Sequence, residues 1–327
     1  MGKDSGNGQP QITFDSIITC NKEMESCMER ARAAAPADIA VLLLGESGTG
    51  KEMLARAIHA SSRRRERPFV VVNCSALTET LLEAELFGYE RGAALVDSDH
   101  QGKFDQANGG TLFLDEVTDM STTGQAKLLR AMEFREYERV GGDRILATDV
   151  RVIAATKRNP LSLLRAGRFR EDLYYRLNEV AVEVPPLRRR KEDVPLLVDR
   201  FVRECSSEFR KDVKGVSRVV MSYLLKHDWP GNVRELRSVV KRGSAVAHHD
   251  EIWLEDLSLV VQVVDPEDRR SEEDEDLSLD AIERKHIERV LEITKGNKKQ
   301  ACEILGISRP TLDRKIKSMD GRSVRSQ

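Results

Sequence analysis

Short apolar, β-branched runs recur through the first half of the chain: Ala40–Leu44, Phe69–Asn73, Thr111–Leu114, Val150–Ala155 and Val180–Val184. Each has the length of a strand. Stretches with helical spacing, such as Lys51–Ser61 and Thr122–Glu133, separate them. Strands alternating with helices predict an α/β unit whose five-stranded parallel sheet is covered on both faces. From Glu192 to about Ala247 only helical spacing persists, as in PLLVDRFVRECSSEF and SRVVMSYLLKH. A third, all-α unit begins near Leu277, and no internal repeat is visible.

Length and charge refine this picture. The 327 residues allow two or three domains. The pattern divides them into a flexible polar tail (1–12), an α/β unit (13–184), an all-α unit (185–258), an acidic self-repelling linker (259–276), a small helical module (277–320) and a short tail (321–327). The formal net charge of −2 hides an asymmetry. From Arg284 onward, Lys and Arg outnumber the acids by roughly two to one. A basic module behind an acidic spacer predicts DNA contact at that end.

Five scattered cysteines without a C-x-x-C pair predict reduced thiols and argue against a zinc site or disulfide framework. The polar N-terminus is no signal peptide, and no apolar run reaches membrane-spanning length. These features predict a cytoplasmic protein without membrane contact.

VLLLGESGTGKE supplies the first chemistry. Gly45, Glu46, Ser47, Gly48, Thr49, Gly50 and Lys51 follow an apolar strand and precede a helix, the setting of a phosphate-binding P-loop. Glycines let backbone N–H groups converge on phosphate oxygens, and the helix N-terminus adds its positive end. Lys51 would reach the β- and γ-phosphates of ATP. Glu52 stands where this loop usually carries a Ser or Thr ligand for Mg²⁺, so the metal depends more on water and a second carboxylate. GGTLFLDEV offers one: Asp115 would orient Mg²⁺ through its waters, and Glu116 would polarise the attacking water.

GESGTGKE, ELFG (Glu85–Gly88), GGTLFLDEV, FREDLYYRL and WPGNVREL, in this order, resemble the central AAA+ domain of bacterial enhancer-binding proteins. These are NtrC-type activators of sigma-54 RNA polymerase. The resemblance covers about residues 13–258. It implies an AAA+ P-loop domain, an all-α lid subdomain, and a ring, usually a hexamer, with ATP between neighbouring subunits.

Arg170 and Arg176 match the arginines that reach a neighbour's γ-phosphate. Without the resemblance, surface pairing with Glu171 and Asp172 explains them as well. Asn73 matches the residue that restrains the catalytic glutamate. Arg234 matches the lid's sensor arginine. Locally, Asn232 can cap the next helix and Glu235 complete a capping box, which puts Arg234 in a first helical turn. Lys157 departs from the family's Asn. A cation there accepts no hydrogen bond, which predicts slower hydrolysis with binding intact.

The segment from Leu277 to Met319 reads as three helices and resembles the Fis-type helix–turn–helix domain that ends these activators. Gly296–Asn297 end the first helix, Lys298–Leu305 form the second, and Ser308 caps the third with Pro310 in its first turn. Arg309, Thr311 and Arg314 are candidates for reading base edges of double-stranded DNA. Lys298, Lys299, Lys315 and Lys317 suit phosphate contacts. Such domains usually bind as dimers.

One loop divides the functional readings. After ELFG the family carries Gly-Ala-Phe-Thr-Gly-Ala, whose Phe and Thr touch sigma-54. Here Gly92 and Ala93 match, but Ala94, Leu95, Val96 and Asp97 replace the rest. The aromatic contact is lost, a β-branched residue replaces the glycine, and acids enter the tip. The expected function is therefore an ATP-binding, ATP-hydrolysing, DNA-binding transcription regulator that does not remodel sigma-54 holoenzyme. The alternative is a sigma-54-dependent activator that hydrolyses ATP to open promoters. Its assembly is expected to range from dimer to hexamer ring. No receiver or sensor pattern precedes residue 13, which predicts control by a partner in trans or a constitutive or truncated form.

Overall fold

The computed structural model describes residues 12–90 and 100–258, together with Ile287, Thr294, Asn297, Lys298, Gln300 and 309–312 near the C-terminus. Residues 1–262 form one compact unit and 263–327 another.

The first unit is built on strands β1 (Val41–Leu44), β2 (Phe69–Asn73), β3 (Thr111–Asp115), β4 (Glu136–Glu138), β5 (Ile145–Ala147), β6 (Arg151–Thr156) and β7 (Val180–Glu183). Five of them form a parallel sheet in the order β2-β3-β6-β1-β7. The fold is thus the expected AAA+ sheet, with strand ends shifted by a residue from the apolar runs. The antiparallel β4–β5 hairpin had no counterpart in the hydrophobic pattern. Its strands have three residues each, and Ile145 is solvent-exposed, so no alternation marks them.

Helices α1 (Lys22–Ala34), α2 (Lys51–Ala60), α3 (Glu79–Phe87), α4 (Lys103–Gln106), α5 (Thr122–Glu133), α6 (Pro160–Arg165) and α7 (Glu171–Leu177) complete the α/β part. Strand side chains alternate between faces, and the core divides accordingly. Leu42, Leu112, Leu114, Val152 and Ala154 pack with Leu86, Phe87, Phe104, Leu128 and Leu173. Val41, Leu43, Phe113, Ile153 and Val182 pack on the other face with Met24, Ala31, Leu54 and Ile58.

The lid comprises α8 (Asp193–Phe209), α9 (Arg218–Lys226), α10 (Asn232–Val246) and α11 (Leu254–Ser258), with a two-residue pairing of β8 (Gly215–Val216) and β9 (Glu251–Ile252). Its own core gathers Leu197, Phe201, Val220, Leu224, Trp229, Leu236 and Val240. The Trp229 indole N–H donates to the Leu224 carbonyl at 2.9 Å, so the buried ring leaves no donor unpaired.

Two buried cationic or titratable groups tie the sheet to its helices. Arg151, at the start of β6, donates to the carbonyls of Ala35 (2.7 Å), Ala34 (2.9 Å) and Ile39 (3.2 Å), which satisfies the carbonyls at the end of α1. His59 is buried in α2, with Nδ1 2.9 Å from the Thr111 hydroxyl and its ring beside Phe69. Burial holds its pKa below the ordinary histidine value. A depressed folded-state pKa means that stability present above the unfolded value of about 6.5 is lost as pH falls through that value towards the folded one. The unfolding temperature is therefore expected to drop on acidification below about pH 6.5, and His59→Gln to flatten that drop in calorimetric scans. An identical pH profile for both proteins would contradict this.

Candidate functional site

Residue order in the sheet assembles the site. Because β6 lies between β1 and β3, the carboxyl ends of these three strands stand side by side. They carry, in turn, the loop from Gly45, residue Lys157, and the pair Asp115–Glu116. A crevice outside the strand ends is the usual ligand position in such sheets.

Gly50 adopts φ 103° and serves as the N-cap of α2. Gly48 has φ 77°, and a Cβ there would lie 2.2 Å from the Gly231 carbonyl oxygen. Only glycine fits so close beneath the lid. Lys51 is buried, and its ammonium donates to the carbonyls of Gly45 (2.7 Å) and Glu46 (3.0 Å). Burial lowers its pKa, while Glu116 and Asp115 oppose that shift. The Asp115 carboxyl is pushed up by burial, with Lys51 acting in the other direction and Glu116 adding to the rise. A buried cation thus lies within the electrostatic reach of two acids.

Glu116 sits in the left-handed region at φ 55°. Its carboxylate accepts the Lys157 backbone N–H at 3.1 Å, and the Lys157 ammonium lies 3.9 Å away. A cleft of about 410 Å³ beside Gly45 and Glu46 is walled by Lys157, Arg158 and Arg188.

The lid closes directly on the phosphate loop. The backbone N–H groups of Val233 (3.0 Å) and Arg234 (3.3 Å) donate to the Gly48 carbonyl, and the Arg234 guanidinium donates to the Ser47 hydroxyl at 2.9 Å. Arg234 does lie in the first turn of α10, and the Glu235 carboxylate accepts the Gly231 N–H at 2.8 Å. Asn232, however, is no N-cap. Gly231 holds that position, and Asn232 adopts φ 52° as the first helical residue. Its fully buried amide accepts from the Leu187 N–H (2.8 Å) and donates to the Ser47 carbonyl (3.0 Å), so it fastens lid to loop instead.

Three expected residues have side-chain partners of their own within the protein. Glu52 pairs with Arg56 one turn along α2 at 2.8 Å, on the solvent side of the helix. The Glu46 carboxylate is held by Arg188 at 2.6 and 2.8 Å, which lowers its pKa; only its carbonyl faces Lys51 and Thr49. Asn73 lies opposite Asp115 in the β2–β3 register; its side-chain oxygen accepts from the Ser75 N–H (2.9 Å) and hydroxyl (2.8 Å), and its amide N–H makes no hydrogen bond to Glu116.

Arg170 pairs with Asp172 at 2.7 Å, and Arg176 with Glu179 at 2.8 Å and the Met132 carbonyl at 3.2 Å. Both guanidiniums are exposed and are not gathered at Lys51 or Glu116 of their own chain.

The pattern also left Arg188 and Arg190 unmarked. Arg190 is buried and donates to the Thr49 carbonyl at 2.8 Å. Its neighbour Asp193, 3.8 Å away, accepts from the Thr19 hydroxyl and the Cys20 N–H. The available signal was PPLRRRKED, a dense basic run between the last strand and the first lid helix.

In the C-terminal unit, Ile287 and Leu312 are buried helical residues, and Arg309 is exposed at the start of the segment 309–312. Asn297 accepts the Gln300 N–H, capping a turn that includes exposed Lys298. Thr311 is half-buried. Lys299, Arg314, Lys315 and Lys317 lie outside the described residues, as do Gly92, Ala93, Ala94, Leu95, Val96 and Asp97 of the divergent loop.

Known proteins share this order of domains over most of the chain. The chain matches the family described as "Sigma-54 interaction domain" over residues 17–183, "AAA+ ATPase lid domain" over 188–274, and "Bacterial regulatory protein, Fis family" over 278–319. It is 46% identical over 301 residues to the transcriptional regulatory protein ZraR of Salmonella typhimurium, covering 92% of this chain and 68% of that one.

The chain belongs to the bacterial enhancer-binding proteins.

Members of this sigma-54-dependent activator family join an AAA+ domain to a helix–turn–helix DNA-binding domain, as this one does. The regulatory protein AtoC of Escherichia coli K12 is 42% identical, covering 90% of this chain and 65% of that one. Brucella abortus NtrX in complex with ATP superposes with a TM-score of 0.67 at 33% identity, over 94% of this chain and 70% of that one. Thermotoga maritima RuvB, at 18% identity and a TM-score of 0.51, shares the fold. No helix among the described residues is long and apolar enough to cross a membrane.

The lid fastening predicts a stability effect. Asn232→Ala leaves the Leu187 N–H and the Ser47 carbonyl without this partner, at a cost of about 1–3 kcal/mol. Urea unfolding is expected to show that loss. Wild-type stability in the variant would remove Asn232 from this role.

Proposed function

We propose that this enhancer-binding protein is an ATP-hydrolysing, DNA-binding transcription regulator whose coupling to sigma-54 is altered. The observation that carries the reading is the meeting of Lys51, Asp115, Glu116 and Arg234 around one glycine-rich loop under the lid.

The residues suit Mg²⁺-ATP. Backbone N–H groups at the start of α2 and the Lys51 ammonium would bind the phosphates. Asp115 offers an oxygen donor beside that lysine, in keeping with a hard cation that retains its waters. Mg²⁺ supplies neutralisation of phosphate charge when bound. Glu116 would take a proton from water as the water oxygen bonds the γ-phosphorus, and the electron pair of the broken phosphorus–oxygen bond leaves with ADP.

Arg170 and Arg176 suit a role in a neighbouring subunit's site within a homo-oligomeric ring. Their present ion pairs are exposed and hold them weakly. Moving to a phosphate therefore costs little.

At the C-terminal end, Arg309, Thr311 and Arg314 would read bases of double-stranded DNA, and Lys298, Lys299, Lys315 and Lys317 would contact phosphates. Ala94 and Leu95 in place of Phe and Thr argue against the usual grip on sigma-54 holoenzyme. The family match itself favours a second reading, in which the changed loop still engages sigma-54 and opens promoters.

Two measurements test these points. Lys51→Ala is expected to abolish ATP binding, whereas Glu116→Gln binds ATP and fails to hydrolyse it. Normal turnover in Glu116→Gln refutes the assignment of the base. For sigma-54, purified protein trapped with an ATP transition-state analogue is expected not to retain the factor in a pull-down, nor to open a promoter. A stable complex with promoter opening establishes the second reading.

A further inference from the structure

We propose that Lys157 is a positioning residue that holds Glu116 in a resting geometry and lets it go when the triphosphate binds. The inference rests on the ATPase reading above and goes beyond it by naming what restrains the base.

Lys157 follows β6, and β6 separates the strand of the phosphate loop from the strand of the two acids. It therefore emerges between the two halves of the site. Two contacts reach Glu116 from this residue: its backbone N–H donates to one carboxylate oxygen at 3.1 Å, and its ammonium stands 3.9 Å from the other. The Glu116 side chain is 8% exposed and the Lys157 side chain 44%. The carboxylate is thus shielded, while its cationic partner reaches solvent and has room to move. Glu116 also occupies φ 55°, a conformation that non-glycine residues hold only when surrounding contacts support it. The Asp119 N–H on the Glu116 carbonyl (2.9 Å) and the Lys157 contacts on its carboxylate surround it.

Asn73, which the family resemblance assigns to this restraint, engages Ser75 through its side-chain oxygen and makes no hydrogen bond to Glu116 in this structure. The contacts that do reach Glu116 come from the residue after β6. The difference is one of physics as well as of place. A neutral amide gives up one hydrogen bond whatever charge arrives. An ammonium responds to charge. Lys157 already lies near enough to Lys51 to lower its pKa, so both cations share one electrostatic environment. A triphosphate at the loop brings several negative charges into that environment, and they compete with a single carboxylate for the Lys157 ammonium. Its withdrawal leaves Glu116 with the backbone contact alone and free to turn towards water. Lysine here makes the resting enzyme slow without weakening nucleotide binding.

The test measures steady-state Mg²⁺-ATP hydrolysis and equilibrium binding of a fluorescent ATP analogue on the full chain. Lys157→Asn is expected to raise kcat about fivefold, the effect of removing a modest ion pair from the resting state, while analogue affinity changes less than about twofold. Lys157→Met, which removes the charge and keeps much of the stem, is expected to do the same and serves if Lys157→Asn misfolds. Lys157→Arg keeps the charge and the slow rate. Asn73→Ala raises kcat less than Lys157→Asn does. In a Glu116→Gln background, Lys157→Asn brings no gain, because no charged base remains to release.

An unchanged or lower kcat in Lys157→Asn, in a wild type that does hydrolyse ATP, overturns the restraint and leaves the ATPase reading intact. A larger gain in Asn73→Ala also overturns it, returning the restraint to β2. Bound nucleotide without turnover in the wild type and every Lys157 variant refutes the ATPase reading and the restraint together.

Discussion

Strand order is the constraint on which the site depends. With β6 between β1 and β3, the phosphate loop and the two acids are one strand apart, and whatever follows β6 must stand between them. No local feature of GESGTGKE or LDEV sets this distance. It comes from ladders of parallel hydrogen bonds and from a sheet buried on both faces. Slippage of β6 by one residue would exchange its two faces and move Lys157 out of register with Glu116. Core packing thereby fixes a spacing that the motifs alone do not encode.

The second element of order is the lid, and its attachment is mostly polar. Asn232, Arg190 and Arg234 reach Ser47 and Thr49, while Arg188 grips Glu46. Arg190 and Asp193 are buried, and burying charge is costly unless each group is satisfied. Their partners are the loop itself and the segment Thr19–Cys20, so the same contacts that satisfy the charges set the lid's position. A purely apolar seam would hold the lid as tightly, but it would not respond to phosphate. Guanidiniums around a glycine loop bind it through carbonyls and hydroxyls that a nucleotide can rearrange.

Much of this was legible in the chain. The five strands followed from apolar runs, and Lys51, Asp115 and Arg234 from motif spacing, because local sequence carries both signals. What escaped notice were contacts between segments far apart in sequence. Asn232 followed a Pro-Gly turn and had the chemistry of a helix cap, yet its amide turned inward because Leu187 and Ser47 both lacked a partner there. Motif position places Glu52 and Asn73 at the site, but not their side-chain partners: the Glu52 carboxylate meets Arg56, and the Asn73 oxygen meets Ser75. The short hairpin β4–β5 carries too few apolar positions to announce itself. Spacing shows which residues share a loop; it does not show which way a long or polar side chain turns.

These contacts bear on how a motor of this family separates binding from hydrolysis. Lys51 donates to two carbonyls of its own loop, Glu116 is held by Lys157, and Arg234 rests on Ser47. Three of the groups proposed to act on a triphosphate are therefore engaged with the protein itself. Satisfying them internally stabilises the folded chain, since a buried lysine beside unengaged carbonyls would be destabilising. On the proposed reading, the side-chain contacts among these are exchanged as nucleotide enters, so part of the binding free energy goes into reorganising the loop and the lid, and hydrolysis waits on the contact that yields last. If Glu116 is the base, it is held by a cation and the lid by guanidiniums, so an arriving anion would act on all of them, and charge rather than shape would set the order of release.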